Sequence, residues 1–209
     1  MVFEGIDGAG TSTQVPLLTA RIKELSKYHD VLETHEPWQS EEIKRRLAED
    51  EDAFADGGAM AALYVGDRAE HSRRLIEPNL QEGVFVLSDR YKMSTCAYQW
   101  AQGVELHRLL KMHEGADLVM PDVTFYLDVE RETAACRLQG RGDALEKFEK
   151  DGGFIETLIG RYRSLARDAV IDESTSGPVV WIDGSRGRDE VAAEVREGFQ
   201  PVYDDYLER

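Results

Sequence analysis

Short apolar segments alternate with longer amphipathic segments along the whole chain. Segments of strand length occur at residues 2–4, 31–34, 84–87, 123–129 and 179–182. Between them, apolar residues recur every three or four positions, which predicts helices that bury one face. Strands that alternate with helices favour a parallel sheet with helices on both faces, so we expect a three-layer α/β fold of about five strands.

The helical pattern covers residues 11–26, 41–49, 59–81, 95–102, 105–114, 130–138, 154–170 and 191–206. Pro78 is expected to bend or interrupt the third of these helices, because proline has no backbone N–H to donate. Residues 140–153 are rich in glycine and charge, and we interpret them as a mobile flap. No internal repeat or linker divides the 209 residues, so a single domain over residues 1–209 is expected.

The composition excludes several classes of protein. A net charge of −16 argues against a nucleic-acid-binding surface, because phosphate backbones are bound by basic patches. Without a long apolar run or a signal-peptide pattern, we expect a cytoplasmic protein with no membrane partner. Cys96 and Cys136 form no C-x-x-C pattern, and the five histidines form no H-E-x-x-H pattern, which favours reduced thiols and no zinc. The excess of acid fits either a salt-adapted cytosol or an ordinary acidic enzyme.

Glycines and a hydroxyl residue follow the first apolar segment in the order Gly5, Gly8, Gly10 and Ser12. This is the layout of a phosphate-binding loop, G-x-x-x-x-G-K-[ST], in which N–H groups at a helix start surround a phosphate. The hydroxyl of Ser12 is placed to hold Mg²⁺. Thr11 stands where the pattern has lysine, so a glycine-rich turn that only connects a strand to a helix remains an alternative.

Asp89 and Arg90 directly follow the third apolar segment. Ligands of open parallel sheets bind at the carboxyl ends of the strands. A carboxylate there can accept from a water bound to Mg²⁺, and an arginine can donate two parallel hydrogen bonds to a phosphate. The alternative is a salt-bridged turn before a helix.

Residues 89–99 read D-R-Y-K-M-S-T-C-A-Y-Q. This segment resembles the thymidylate kinase signature D-R-[YFH]-x-x-S-x-x-A-[YF]-Q at every fixed position. Further segments are similar to that family in the same order. Glu36-Pro37 is similar to the family's R-E-P, residues 64–68 to its F-x-A-[DA]-R, and residues 121–129 to its P-D-[LV]-T-[LF]-[YL]-L-D-[VL]. The region that follows is similar to the family's arginine-bearing lid. The resemblance covers nearly the whole chain and implies the P-loop NTPase fold, with a lid over about residues 137–153.

The resemblance implies transfer of the γ-phosphoryl group of ATP to dTMP, giving dTDP and ADP, with Mg²⁺ as cofactor and a homodimer as the assembly. It assigns the ATP phosphates to Gly5, Gly8, Ala9, Gly10, Thr11, Ser12 and Thr13. It assigns the metal to Ser12 and Asp89, with Glu36 acting through a water. It assigns dTMP to Asp7, Glu36, Tyr64, Arg68, Arg90, Tyr98 and, at the polar edge of the base, Thr95 and Gln99.

Each residue of the implied dTMP site has a task. Arg68 and Arg90 are expected to grip the phosphate, which suits the two-pronged geometry of arginine. Tyr64 is expected to stack on thymine, and Asp7 to accept from the 3′-hydroxyl of the sugar. Tyr98 is expected to lie beneath the sugar, where it would disfavour a ribose 2′-hydroxyl. The alternatives are a solvated helix face for Arg68 and helix core for Tyr64.

Catalysis is assigned to Asp89 and to two lid arginines, Arg137 and Arg141. One subgroup of the family places its catalytic arginine in the glycine loop, but Gly8 occupies that position here. The lid arginines are therefore expected to close over ATP and to stabilise charge on the moving phosphoryl group. A flexible basic surface that contacts nothing is the alternative.

Two departures from the family leave the function partly open. Thr11 replaces a lysine, and His35 replaces the arginine of R-E-P. Either another cation substitutes for the lysine (Arg137, Arg141 or Lys92), or the enzyme is slow, or the protein binds nucleotides without much catalysis. We favour the first explanation, because the dTMP pattern is intact. A kinase of another deoxynucleoside monophosphate is the other alternative, left open by Tyr64 and His35.

Overall fold

The computed structural model describes residues 1–49, 56–141, 152–167 and 176–208. The described strands are β1 (Val2–Glu4), β2 (Val31–His35), β3 (Phe85–Asp89), β4 (Thr124–Asp128) and β5 (Val179–Asp183). They form one sheet in the order β2-β3-β1-β4-β5, and every neighbouring pair is parallel. The predicted parallel α/β fold is confirmed, and each predicted strand segment forms a strand.

The described helices are α1 (Thr11–Leu25), α2 (Glu41–Glu49), α3 (Gly57–His71), α4 (Glu77–Gln81), α5 (Lys92–Ala101), α6 (Leu106–Glu114), α7 (Arg131–Arg141), α8 (Gly152–Arg167) and α9 (Arg188–Leu207). None of these described helices is long and apolar enough to cross a bilayer. Residues 142–151 of the predicted lid and residues 168–170 of a predicted helix lie outside the described residues.

A π-helical turn (Ser72–Ile76) joins α3 to α4, so the long helix changes type where an interruption at Pro78 was predicted. In this turn the N–H of Glu77 donates to the carbonyl oxygen of Ser72, five residues earlier. Pro78 then lies in the first turn of α4, where a residue without an N–H is tolerated. The helical path therefore continues through the proline.

β1 is only three residues long, yet it lies in the middle of the sheet and is buried on both faces. Phe3 packs on Phe125 of β4, with ring centroids 5.0 Å apart. Because side chains alternate along a strand, Glu4 and its neighbour Tyr126 point to the other face, which α8 covers. There the ring of Tyr162 stacks on Tyr126 at 5.6 Å. The residue that precedes the glycine loop is therefore enclosed between the sheet and α8.

Candidate active site

The segments after β1, β2 and β3 meet at the carboxyl edge of the sheet around a cavity of about 220 Å³. All eight residues predicted to bind dTMP line it, namely Asp7, Glu36, Tyr64, Arg68, Arg90, Thr95, Tyr98 and Gln99. Pro37, Leu47, Met60, Tyr91, Ser94 and Gln102 complete the lining. The fold thus brings together residues from separate parts of the chain that the family resemblance had grouped.

The glycine loop (residues 5–10) joins β1 to α1. Gly8 and Gly10 have positive φ angles of 83° and 106°, which glycine adopts far more readily than other residues. A Cβ at Gly8 would also lie 2.7 Å from the carbonyl oxygen of Ala134 in α7. Gly10 provides no side-chain cap for α1, so the helix start is open to an anion. The predicted phosphate-binding residues therefore form a loop of the required shape.

Arg137 of α7 is bound to the backbone of this loop. Its guanidinium donates to the carbonyl oxygens of Ala9 (3.1 Å) and Gly8 (3.4 Å). It also donates to the carbonyl oxygens of Gly184 (2.7 Å) and Arg186 (3.5 Å) after β5. Arg137 thus ties the loop to the β5–α9 connection, and this arrangement differs from the predicted contact with a transferring phosphoryl group.

The other two candidate substitutes for the missing lysine are placed differently. Arg141 ends α7, and its side chain lies outside the described residues. Lys92 is buried at the start of α5, where its charge acts on His113 and Cys96. Arg137 is the candidate with hydrogen bonds to the loop among the described residues.

Arg90 follows the last residue of β3, Asp89, and has a φ of 72°. This left-handed conformation costs a non-glycine residue on the order of 1–3 kcal/mol. A hydrogen bond from its N–H to the carbonyl oxygen of Phe3 (2.8 Å) holds the turn. The side chain forms an ion pair with Asp7 and lies over the ring of Tyr98 at 5.4 Å.

The Oδ1 atom of Asp89 is buried without a hydrogen-bond partner among the described residues.

The carboxyl group of Glu4 is fully buried (0% exposed) beneath the cavity. Its Oε1 accepts from the N–H groups of Tyr91 (2.9 Å) and Ser94 (3.2 Å). Its Oε2 accepts from the hydroxyl groups of Ser94 and Tyr162 (3.4 Å). These hydroxyls also accept from Arg90, at 3.3 Å and 3.4 Å. Burial raises the pKa of Glu4, although the hydrogen bond from Ser94 and the charge of Arg90 oppose the shift.

Arg68 is 1% exposed and donates four hydrogen bonds to protein groups. The acceptors are Glu36 Oε2 (2.7 Å), His113 Nε2 (2.7 Å), the carbonyl oxygen of Tyr91 (2.9 Å) and the hydroxyl of Thr95 (2.9 Å). Of the five N–H groups of a guanidinium, one is left without a partner among the described residues. The predicted grip of Arg68 on the dTMP phosphate does not fit these contacts, because it needs two free N–H groups.

Both carboxylate oxygens of Glu36 also have partners. Oε2 pairs with Arg68, and Oε1 lies 3.1 Å from Nδ1 of His71. His71 in turn places its Nε2 2.8 Å from the hydroxyl of Thr34. The side chain of Glu36 is 4% exposed, so the water-mediated contact with Mg²⁺ predicted for it does not fit its enclosure. Glu36 instead holds Arg68 in the cavity wall.

The remaining predicted residues form the wall made by α3 and α5. Tyr98 donates its hydroxyl to Oδ2 of Asp7 at 3.2 Å. Gln99 donates from Nε2 to Gln102 (3.5 Å), while its Oε1 is buried and unpartnered in the described part of the chain. Tyr64 is half-buried and lines the same cavity. A cavity with an aromatic side chain and a few convergent polar groups suits a flat ring with a polar edge.

Glu4, His71, Ser94, His113 and Tyr162 are members of the site that the sequence analysis did not nominate. Ser94 is a fixed position of the family signature, and Glu4 is an acid that ends an apolar strand just before a phosphate loop. The sequence therefore contained enough information to nominate Ser94 and Glu4 as site residues. No sequence pattern indicated His113 or Tyr162. His113 contacts Arg68 from 45 residues away, and Tyr162 contacts Glu4 from 158 residues away.

Comparison with known proteins relates the chain to one family. The family model described as thymidylate kinase matches residues 3–179. The chain is 38% identical to the probable thymidylate kinase of Thermococcus onnurineus, over 79% of this chain and 83% of that protein. It is 34% identical to the thymidylate kinase of Ruegeria pomeroyi, over 94% and 92% respectively. The matched span of the family model includes the glycine loop, the cavity and α7.

Glu4→Gln is expected to remove a pH dependence from the stability of the fold. Because folding raises the pKa of Glu4 above its ordinary value of 4.5, its contribution to stability is fully present below that value. The contribution is lost as the pH rises through the pKa of the folded state. Urea unfolding measures the free energy of unfolding of the wild type minus that of the variant. This difference should be higher at about pH 4.5 than at about pH 8. The exposed control, Glu197→Gln, should show no such change with pH. The prediction would be contradicted if the difference in unfolding free energy between the wild type and Glu4→Gln were the same at both pH values.

Proposed function

The chain belongs to the thymidylate kinase family, and we propose that it transfers the γ-phosphoryl group of ATP to dTMP, giving dTDP and ADP. The observation that carries the proposal is the single cavity where all eight expected dTMP residues meet, beside the glycine loop. Phosphoryl transfer depends mainly on positioning two nucleotides and on stabilising charge. Two adjacent sites on one edge of a sheet suit that requirement.

The glycine loop binds the phosphates of ATP in this proposal. N–H groups at the start of α1 and the partial positive charge of that helix attract them. The loop residues Gly5, Gly8, Ala9, Gly10, Thr11, Ser12 and Thr13 keep the roles that the resemblance implies. Arg137 supports the loop through its carbonyl groups. Contact with the transferring phosphoryl group falls to Arg141, the other arginine of the expected lid.

Ser12 and Asp89 fit the Mg²⁺ ion that accompanies ATP. The buried Oδ1 of Asp89 has no partner among the described residues, and buried carboxylate oxygens are normally satisfied by a donor or an ion. The described residues contain no group of three or more metal-ligating acids, histidines or cysteines. Such a sparse donor set suits Mg²⁺, which is commonly held by one or two carboxylates together with nucleotide phosphates. Bound there, the ion neutralises phosphate charge.

Arg90 binds the phosphate of dTMP, and Asp7 accepts from its 3′-hydroxyl. In the structure these two side chains pair with each other, and Tyr98 donates to the second oxygen of Asp7. A phosphate on Arg90 replaces one anionic partner by another, while the sugar hydroxyl supplies Asp7 with a donor. Each charge thus keeps a partner when dTMP binds. Tyr98 lies beside the sugar and disfavours a ribose 2′-hydroxyl.

Arg68 and Gln99 recognise the polar edge of thymine. Arg68 offers its remaining N–H, and Gln99 offers its unpartnered Oε1. This pair matches thymine, which presents a carbonyl oxygen at position 4 and an N–H at position 3. Cytosine presents an amino group and an unprotonated nitrogen there, so both contacts are lost. Tyr64 stacks on the ring and Thr95 fixes Arg68 beside it.

The alternatives are less well supported. Neither a kinase of another deoxynucleoside monophosphate nor a non-catalytic nucleotide-binding protein is favoured, because relatives that match most of the chain are named thymidylate kinases. The proposal includes a cytoplasmic location, which the free thiols of Cys96 and Cys136 suit. It also includes a homodimer, to be measured by light scattering.

A panel of acceptors tests the proposed function. With Mg²⁺ and ATP, release of ADP is followed for dTMP, dUMP, dCMP, dGMP and UMP, at low and at molar salt. We expect kcat/KM for dTMP to exceed that for dCMP at least about 100-fold, because dCMP leaves Arg68 and Gln99 unpaired. Chelation of Mg²⁺ should abolish turnover. Preference for another acceptor, or nucleotide-dependent stabilisation without turnover, would contradict the proposal.

Arg137 and Arg141 of α7 are expected to affect different kinetic constants. Arg141→Ala should lower kcat by about 10²-fold with little change in the KM for dTMP, because it removes stabilisation of the moving phosphoryl group. Arg137→Ala should mainly raise the KM for ATP, because two carbonyls of the glycine loop and two of the β5–α9 connection lose their donor. Thr11→Lys should leave the enzyme active.

Steady-state kinetics of these variants check that assignment, with the exposed Arg196→Ala as the matched control. If Arg141→Ala left kcat unchanged while Arg137→Ala reduced it, the roles would be reversed. If neither substitution mattered, the lid would not supply the cation that Thr11 lacks.

A further inference from the structure

His113 of α6 lies directly behind the wall of the cavity and is 2% exposed. Its Nδ1 is 2.8 Å from the carbonyl oxygen of Leu109 in the same helix. A carbonyl oxygen can only accept, so Nδ1 carries the proton and Nε2 is left as an acceptor. Nε2 lies 2.7 Å from NH1 of Arg68 and accepts its hydrogen bond. The helix therefore fixes the tautomer that Arg68 needs.

The ring of His113 stays uncharged. Burial, followed by the neighbouring positive charge of Arg68, lowers its pKa to about 3. A neutral ring accepts a hydrogen bond from Arg68 and places no second positive charge beside it, so Glu36 remains the counter-ion of Arg68. His113 thus adds a geometric restraint to the guanidinium and leaves its charge balance unchanged.

This restraint acts on one particular nitrogen of Arg68. Glu36 pairs with both Nε and NH2, and Tyr91 and Thr95 also accept from NH2. The remaining nitrogen, NH1, donates one N–H to His113 and keeps one that is free among the described residues. Because a guanidinium is planar, fixing the first N–H of NH1 fixes the direction of the second. That second N–H is the donor assigned above to the 4-carbonyl of thymine.

We propose that His113 is a positioning residue that sets the base selectivity of the cavity by orienting Arg68. The inference rests on the proposed function. A fixed donor favours a carbonyl at position 4 of a pyrimidine and rejects an amino group there, because two donors cannot pair. Without an acceptor at position 113, a buried N–H of Arg68 loses its partner, and the guanidinium tilts or recruits water. The discrimination between keto and amino bases then weakens.

Two nearly isosteric substitutions test the inference. In His113→Gln the side-chain oxygen can accept from Arg68, whereas His113→Met offers only a weak thioether acceptor in the same volume. The kcat and KM of each enzyme are measured for dTMP, dUMP and dCMP. We expect His113→Met to lower the ratio of kcat/KM for dTMP over dCMP about tenfold, mainly through KM. His113→Gln should keep the ratio within about threefold.

His107→Met, an exposed substitution in the same helix, is the matched control and should leave the ratio unchanged. If His113→Met does not fold, His113→Asn replaces it, because its amide is too short to reach Arg68. The rise in Tm that dTMP and dCMP produce without ATP gives a second measure of selectivity, independent of turnover.

An unchanged ratio in the folded His113→Met or His113→Asn variant, with normal wild-type turnover of dTMP, would overturn this inference alone. An equal loss of selectivity in His113→Gln and His113→Met would also overturn it, since the cause would then be packing. If the wild type did not phosphorylate dTMP, the proposed function and this inference would fail together.

Discussion

The geometry of the site depends on the buried carboxyl group of Glu4. This residue ends β1, and the glycine loop begins at the next position. Its two oxygens hold the start of α5 through Tyr91 and Ser94, and they reach α8 through Tyr162. The contacts of this one residue therefore fix the distance between the phosphate loop and the acceptor cavity. A reaction that depends on placing two nucleotides needs that spacing fixed, since a misplacement of about 1 Å can lower a rate about 10²-fold.

Pairing of charges explains how so acidic a chain can bind two anionic nucleotides. The cavity contains two arginine–carboxylate pairs, and they differ in burial. Arg68 and Glu36 are 1% and 4% exposed and are surrounded by further hydrogen bonds, so they form a fixed wall. Arg90 and Asp7 are 19% and 37% exposed, so a ligand can take the place of either partner. Burial thus separates a pair that shapes the cavity from the pair that we propose to bind dTMP.

Local apolar patterns predicted the strands, and the family resemblance predicted eight residues of the cavity. A strand such as residues 85–89 is recognisable from its own apolar run, and each of those eight cavity residues lies within a short motif. The partners of those residues were not predictable in this way. Arg68 meets groups 23 to 45 positions away, and these contacts are set by how α3 packs against α5, α6 and the segment after β2. The resemblance therefore suggested a phosphate contact for Arg68, whereas packing gives it Glu36 and His113 as partners.

With Thr11 in place of a lysine, the glycine loop has one positive charge less, but the contacts that determine its shape are unchanged. The shape follows from positive φ angles at Gly8 and Gly10, from the close packing of Gly5 against Leu127, and from the bonds of Arg137 to loop carbonyls. None of these contacts involves a lysine side chain. Loop N–H groups and the helix dipole act on bound ATP before the reaction and during it, so they contribute mainly to binding. Acceleration requires a group whose contact strengthens as charge moves, and Thr11 has no charge with which to meet that requirement.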